Sequence, residues 1–71
     1  MKYYYECKYK SGSTVSGHNL EKISMKENFI ILEGVDTLMD CDGEYDNYWQ
    51  TKINADKIEY LKIEPMEKYY E

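Results

Sequence analysis

The first ten residues carry the feature that most limits how this chain can fold. Residues 2 to 10 read KYYYECKYK. Tyr3, Tyr5, Cys7 and Tyr9 alternate with Tyr4, Glu6, Lys8 and Lys10, so an extended chain turns the first set to one side and the second to the other. A period of two in aromatic residues is the pattern of a half-buried strand. The same signal returns along the chain at short intervals. SGS at 11–13 is a turn, and TVSGHNLEKISMK continues as a longer strand with Val15, Ile23 and Met25 as its inward residues. Gly17 inside that strand suggests a bend or bulge. KEN turns the chain, and FIILE at 29–33 is a short apolar run of the kind that sits centrally, covered on both faces. YWQTKIN at 48–54 alternates again, with Trp49, Thr51 and Ile53 on one face. NAD makes a tight turn, and KIEYLKIE at 57–64 is the last strand, ended by Pro65. The tail MEKYYE reads as a helical turn or a frayed end. No stretch keeps a 3.6-residue period for ten residues, and Pro65 would interrupt a helix drawn through the C-terminal segment.

Five short strands within 71 residues predict an all-β domain, either a five-stranded small barrel or a strongly bent antiparallel sheet. Such a chain spans one domain, and its core is small because so much of it is surface. Chains of this size gain support from disulfides, a metal or oligomerisation. Two cysteines make no disulfide framework, so a homo-oligomer is the expected support. The opening MKYYYECKYK has no apolar h-region, and no run approaches the roughly 20 apolar residues of a membrane span. The expectation is a cytoplasmic protein with reduced thiols.

The strand order and three local features resemble the SH3-like and Sm-like small barrels. These are Gly17 at the bend of the second strand, Asn28 just before FIIL, and the tight turn leading into KIEYLKIE. Sm-like proteins bind bases on an Asp-x-x-hydrophobic-Asn segment and a basic-Gly turn. The first segment here reads SMKEN, with Asn28 matching but Ser24 in place of the aspartate and Glu27 in place of the hydrophobic residue. The turn reads INAD and has neither the basic residue nor the glycine. The resemblance therefore implies the architecture and does not carry RNA binding with it.

Composition narrows the function further. The net charge is −5, from fourteen acids against nine lysines, and there is no arginine. Arginine is the side chain best suited to bidentate contacts with phosphate and guanine, and an acidic surface repels a polyanion. Nucleic acid is thus an unfavoured partner.

The most acidic stretch is DTLMDCDGEYDNYW, residues 36–49. As a calcium loop it fails. Asp40, Asp42 and Glu44 are correctly spaced, but Gly43 comes too early and Thr51 stands where the closing glutamate belongs. Cys7 or Cys41 with His18 would be the smallest nucleophilic pair, but no glycine-rich turn or arginine is present to lower a thiol pKa or hold an oxyanion. Two Cys and one His fall short of a zinc site. Neither a catalytic residue nor a metal or cofactor is assigned, and a non-enzymatic binding protein is expected.

Read that way, 36–49 is an exposed acidic hairpin or loop with Asp42-Gly43 as its turn. Asp36, Asp40, Asp42, Glu44, Tyr45, Asp46 and Tyr48 are its partner-contacting residues. Tyrosine and tryptophan favour such surfaces because they bury much area at small entropic cost. An acidic, tyrosine-rich face suits the basic groove of a larger protein and competes with nucleic acid that belongs there. In size, acidity and lack of arginine the chain is similar in type to phage-encoded inhibitors of bacterial defence proteins. A second reading is an oligomeric sponge that captures a nucleotide signal, using Tyr4, Lys8, Lys10, His18, Asn28, Lys52 and Tyr60 as ligand or oligomer contacts. An Sm-like RNA-binding protein is the third.

Overall fold

A computed structural model describes residues 2–66. Five antiparallel strands form one sheet: β1 (Tyr3–Tyr9), β2 (Thr14–Lys26), β3 (Phe29–Asp40), β4 (Gly43–Asn54) and β5 (Ile58–Pro65). Their spatial order is β4-β3-β2-β1-β5. The sheet is strongly bent rather than closed, which leaves β4 and β5 as its edges. The expected tail conformation, and Tyr69 and Tyr70 with it, lie outside the described residues.

The alternation of KYYYECKYK places its residues as expected. Tyr5 and Cys7 are buried, and Tyr3 and Tyr9 pack against the same cluster. Cross-strand register carries that face over the whole sheet. Leu20 and Gly17 lie opposite Tyr3 and Tyr5, and Ile63 and Leu61 lie opposite Tyr5 and Cys7 on the other side. Leu32, Ile53 and Trp49 extend the face through β3 and β4. The core is therefore one concave surface of a curled sheet. Its curl is visible in a single contact. β1 and β4 are separated by two strands, so a flat sheet would hold them about 14 Å apart. The rings of Tyr5 and Trp49 nevertheless have centroids only 6.0 Å apart. Two glycines permit this closeness. The Tyr5 ring lies over Gly17, and the Trp49 ring lies over Gly34, in each case where a Cβ would otherwise stand.

The bend in β2 is displaced from the glycine that suggested it. Asn19 takes φ 62°, and the β1–β2 register slips between Tyr3 and Tyr5. A second slip follows between Leu20 and Lys22 against β3. These irregularities reset the alternation, and Leu20 becomes the fully buried residue of the strand. Val15, Ile23 and Met25, expected to point inward, are 40%, 46% and 62% exposed. Ile23 and Met25 pair with Leu32 and Ile30, but β1 ends its pairing at Leu20, so no described strand flanks that half of β2 on the other side, and Val15, opposite Cys7, lies before the β3 pairing begins. β3 also departs from expectation. It runs on to Asp40, lies one strand in from the edge, and buries Leu32 fully while Ile30 and Ile31 are only half-buried.

The NAD turn is a 3-10 turn over Ala55–Lys57, capped by the Asn54 side chain accepting from the Asp56 backbone N–H at 3.0 Å. Asn28 donates to Asn54 and to Asp56, tying the β2–β3 turn to it.

Candidate protein-contact surface

Residues 36–49 form a regular hairpin, the end of β3 folding onto the start of β4. Pairing is unbroken from Phe29–Asn54 to Asp40–Gly43. The loop residues are Cys41 and Asp42, one position earlier than the Asp42-Gly43 turn expected from the sequence. Positive φ falls on Gly43 (121°), which also pairs with Asp40. The Asp40 carboxylate accepts from the Asp42 backbone N–H at 2.8 Å, a local bond characteristic of aspartate in turns.

The root of this hairpin is fastened to the rest of the molecule. Asn19 Nδ2 donates to Asp36 Oδ1 at 2.8 Å, and Lys2 Nζ donates to the Val35 carbonyl at 3.1 Å. Asp36 is half-buried in consequence. Beyond it, every residue from Thr37 to Tyr48 is exposed. Thr37 donates to Asp46 across the ladder at 3.3 Å. The segment is thus an arm that extends past the core, supported by its own ladder.

The arm is not simply polar. Leu38 and Tyr45 pair on one face and are 41% and 48% exposed. Met39 and Tyr48 stand on the opposite face at 75% and 76%. Around them lie Asp40, Asp42, Glu44 and Asp46. Lone exposed apolar side chains are ordinary, but this hairpin holds out two on each face within an acidic field. At its root on the Tyr48 face, Glu21, Lys22, Glu33, Val35, Tyr48 and Gln50 line an open groove of about 540 Å³. Gln50 Nε2 donates to Glu33 Oε1 there at 2.8 Å.

The residues proposed for a small ligand do not converge. Tyr4 and His18 are neighbours, with ring centroids 6.3 Å apart in an edge arrangement. Lys8 pairs with Glu59 at 3.6 Å, and Tyr60 donates to Glu6 at 2.8 Å. Asn28 is engaged at the 3-10 turn, the Lys10 backbone N–H donates to Lys57 near the same turn, and Lys52 lies on the β4 edge. A groove of about 520 Å³ passes Tyr4, His18 and Lys62, with Glu6 and Glu64 beside it.

Among the described residues, no three His, Cys, Asp or Glu side chains gather in a way that would hold a metal ion. Both thiols are unbridged, Cys7 buried and Cys41 exposed at the arm's tip. Burial raises the Cys7 pKa, which disfavours its thiolate. No helix among the described residues is long and apolar enough to cross a membrane. Sequence reasoning found the arm's residues by composition but missed Leu38 and Met39, which read as ordinary strand apolars until their lack of cover is seen. No protein-family model matches this chain, and no curated protein or solved structure matches it either.

Proposed function

We propose that this chain is a non-enzymatic binding protein whose β3–β4 arm docks on a basic face of another protein. The observation that carries the reading is the unsupported arm. Leu38, Met39, Tyr45 and Tyr48 are held out among Asp40, Asp42, Glu44 and Asp46, with nothing of the described chain behind them. Aromatic and aliphatic anchors supply area, and the surrounding carboxylates steer the encounter and select a cationic partner. Occupying a groove meant for nucleic acid would make such a protein a blocker. An inhibitor of a defence protein encoded by a phage or mobile element is the form of this function that its size and acidity suit.

The nucleotide-sponge reading draws on the groove beside Tyr4 and His18. Glu6 and Glu64 at its rim oppose a phosphate, so protein contact is the preferred function. The test is affinity capture with the wild-type chain, identification of the captured protein, and direct titration against it. Changing Asp40, Asp42 and Asp46 to lysine should abolish binding, and Tyr48→Ala with Met39→Ala should weaken it severely. Glu59→Lys, on the opposite edge strand, should leave it intact. Full binding by the arm variants would refute the reading, and a rise in melting temperature with a cyclic nucleotide would favour the sponge.

A further inference from the structure

The outer edge of β4 is the longer of the two sheet edges among the described residues. It spans 12 residues, and its register against β3 is unbroken by any bulge. It also contains no proline. β5, the other edge, is shorter at 8 residues and ends in Pro65, while each edge carries three charged side chains, Glu59, Lys62 and Glu64 on β5 and Glu44, Asp46 and Lys52 on β4. Long regular edges without a bulge or proline are ones that proteins cover.

The groups presented by this edge follow from the ladder. The Ala55 N–H donates to the Asn28 carbonyl at 2.9 Å, continuing the β3–β4 register. Antiparallel bonding alternates from residue to residue. Odd-numbered residues of β4 therefore bond inward to β3. Glu44, Asp46, Tyr48, Gln50 and Lys52 turn their N–H and C=O groups outward. Lys52 is the only cation of β4, and neither it nor Glu44 has an ion-pair partner among the described residues.

We infer that this edge pairs with the same edge of a second copy, antiparallel about a two-fold axis at Tyr48. The register follows from the sequence of the strand. Tyr48 meets its symmetry mate, Asp46 faces Gln50 of the other copy, and Glu44 faces Lys52, each of the last two contacts occurring twice. No two like charges stand directly opposite, and Glu44 meets Lys52, the one cation of the strand. Outward backbone groups meet outward backbone groups, completing a ten-stranded sheet. Each arm then lies along the core half of the other copy's β4, and the two Tyr48 side chains meet on one face at the axis. This pairing stands whether or not the arm's partner is a basic protein.

The experiment is sedimentation equilibrium in reducing buffer, across a concentration series into the high-micromolar range. The wild-type chain should be dimeric. Tyr48→Pro removes an outward N–H without touching the β3 ladder, and should give a monomer that keeps its sheet circular-dichroism spectrum. Glu44→Lys and Lys52→Glu should each weaken the dimer by about tenfold, because each sets two pairs of like charges opposite one another. The double variant E44K/K52E should restore it, and this reading does not depend on how the proline variant folds. A wild-type chain that is monomeric throughout, or a double variant no tighter than its parents, would overturn the pairing. Asp40→Lys separates the two ideas, since it should impair partner capture and leave the dimer unchanged.

Discussion

The β3–β4 ladder has two halves that share one register and differ in almost everything else. In the lower half, Ile30–Ile53, Leu32–Thr51 and Gly34–Trp49 are paired over the concave core, and Leu32 and Ile53 are 0% and 1% exposed. In the upper half, Leu38–Tyr45 and Met39–Glu44 are paired with nothing of the described chain beneath them. The hydrogen-bonded ladder is continuous across the boundary, so backbone pairing is not what distinguishes the halves. Cover is. The lower half receives Tyr5 from β1 and Leu20 from β2, while the upper half extends past the fastening at Asn19–Asp36. Pairing extends a strand, and a second layer of side chains is needed to turn it into a core.

Breaking that comparison takes one substitution in each half. Leu32→Ala removes a fully buried side chain from a core of five buried hydrophobic residues among those described and should cost about 2–5 kcal/mol. Met39→Ala, 75% exposed, should change stability by no more than about 0.5 kcal/mol. Urea denaturation followed by tryptophan fluorescence checks both, because Trp49 sits at the core's margin. Equal losses from the two variants would mean that the arm is structurally supported after all.

The two thiols sharpen the comparison without any mutation, since nature placed one in each region. Cys7 is 0% exposed, and burial raises its pKa, whereas Cys41 is exposed at the arm's tip. Thiolate is the reactive species. Ellman's reagent should therefore modify one thiol per chain promptly and the other only on unfolding, with Cys41→Ser removing the fast phase. Two thiols reacting at one rate would contradict the buried position of β1.

Much of the fold was legible because alternation is a local property. KYYYECKYK and YWQTKIN each declare their inner face from spacing alone, and Tyr5, Cys7, Trp49 and Ile53 all reach the core or its margin. What was illegible depended on neighbours. Val15, Ile23 and Met25 alternate like core residues, yet β2 pairs with β1 only up to Leu20 and with β3 only from Leu20 on, so Val15 lacks a neighbour on one side and Ile23 and Met25 on the other. The turn at the arm's tip was misplaced by one residue because Asp-Gly signals a turn in general, whereas here the glycine supplies positive φ just after the loop. The site was half legible. Its acids and tyrosines stand out in composition, but the continuation of β3 through Thr37, Leu38 and Met39, and the outward edge it gives β4, arise only once the register is fixed.

The smallest expected effect lies in the well-anchored region, on the β1–β5 pair. Tyr60 donates to the Glu6 carboxylate at 2.8 Å. That bond to the neutral phenol raises the Tyr60 pKa above its ordinary value, and partial burial and the charges of Glu6 and Glu59 push the same way against the opposing Lys62. The folded chain thus holds the Tyr60 proton more tightly than the unfolded chain does. Its contribution to stability is fully present below the unfolded phenol pKa of about 10 and is lost as pH rises through the higher folded value. Tyr5, whose pKa is raised chiefly by burial and only partly lowered by a hydrogen bond with Thr51, falls off in the same direction. Stability measured by denaturation at stepped alkaline pH should therefore decline above about pH 10, and Tyr60→Phe should make that decline shallower. A wild-type and a Tyr60→Phe profile that run parallel through the alkaline range would show that the Glu6 bond does not persist in solution. The β1–β5 contact would then be held by its ladder and apolar face alone, as the arm is held by its ladder.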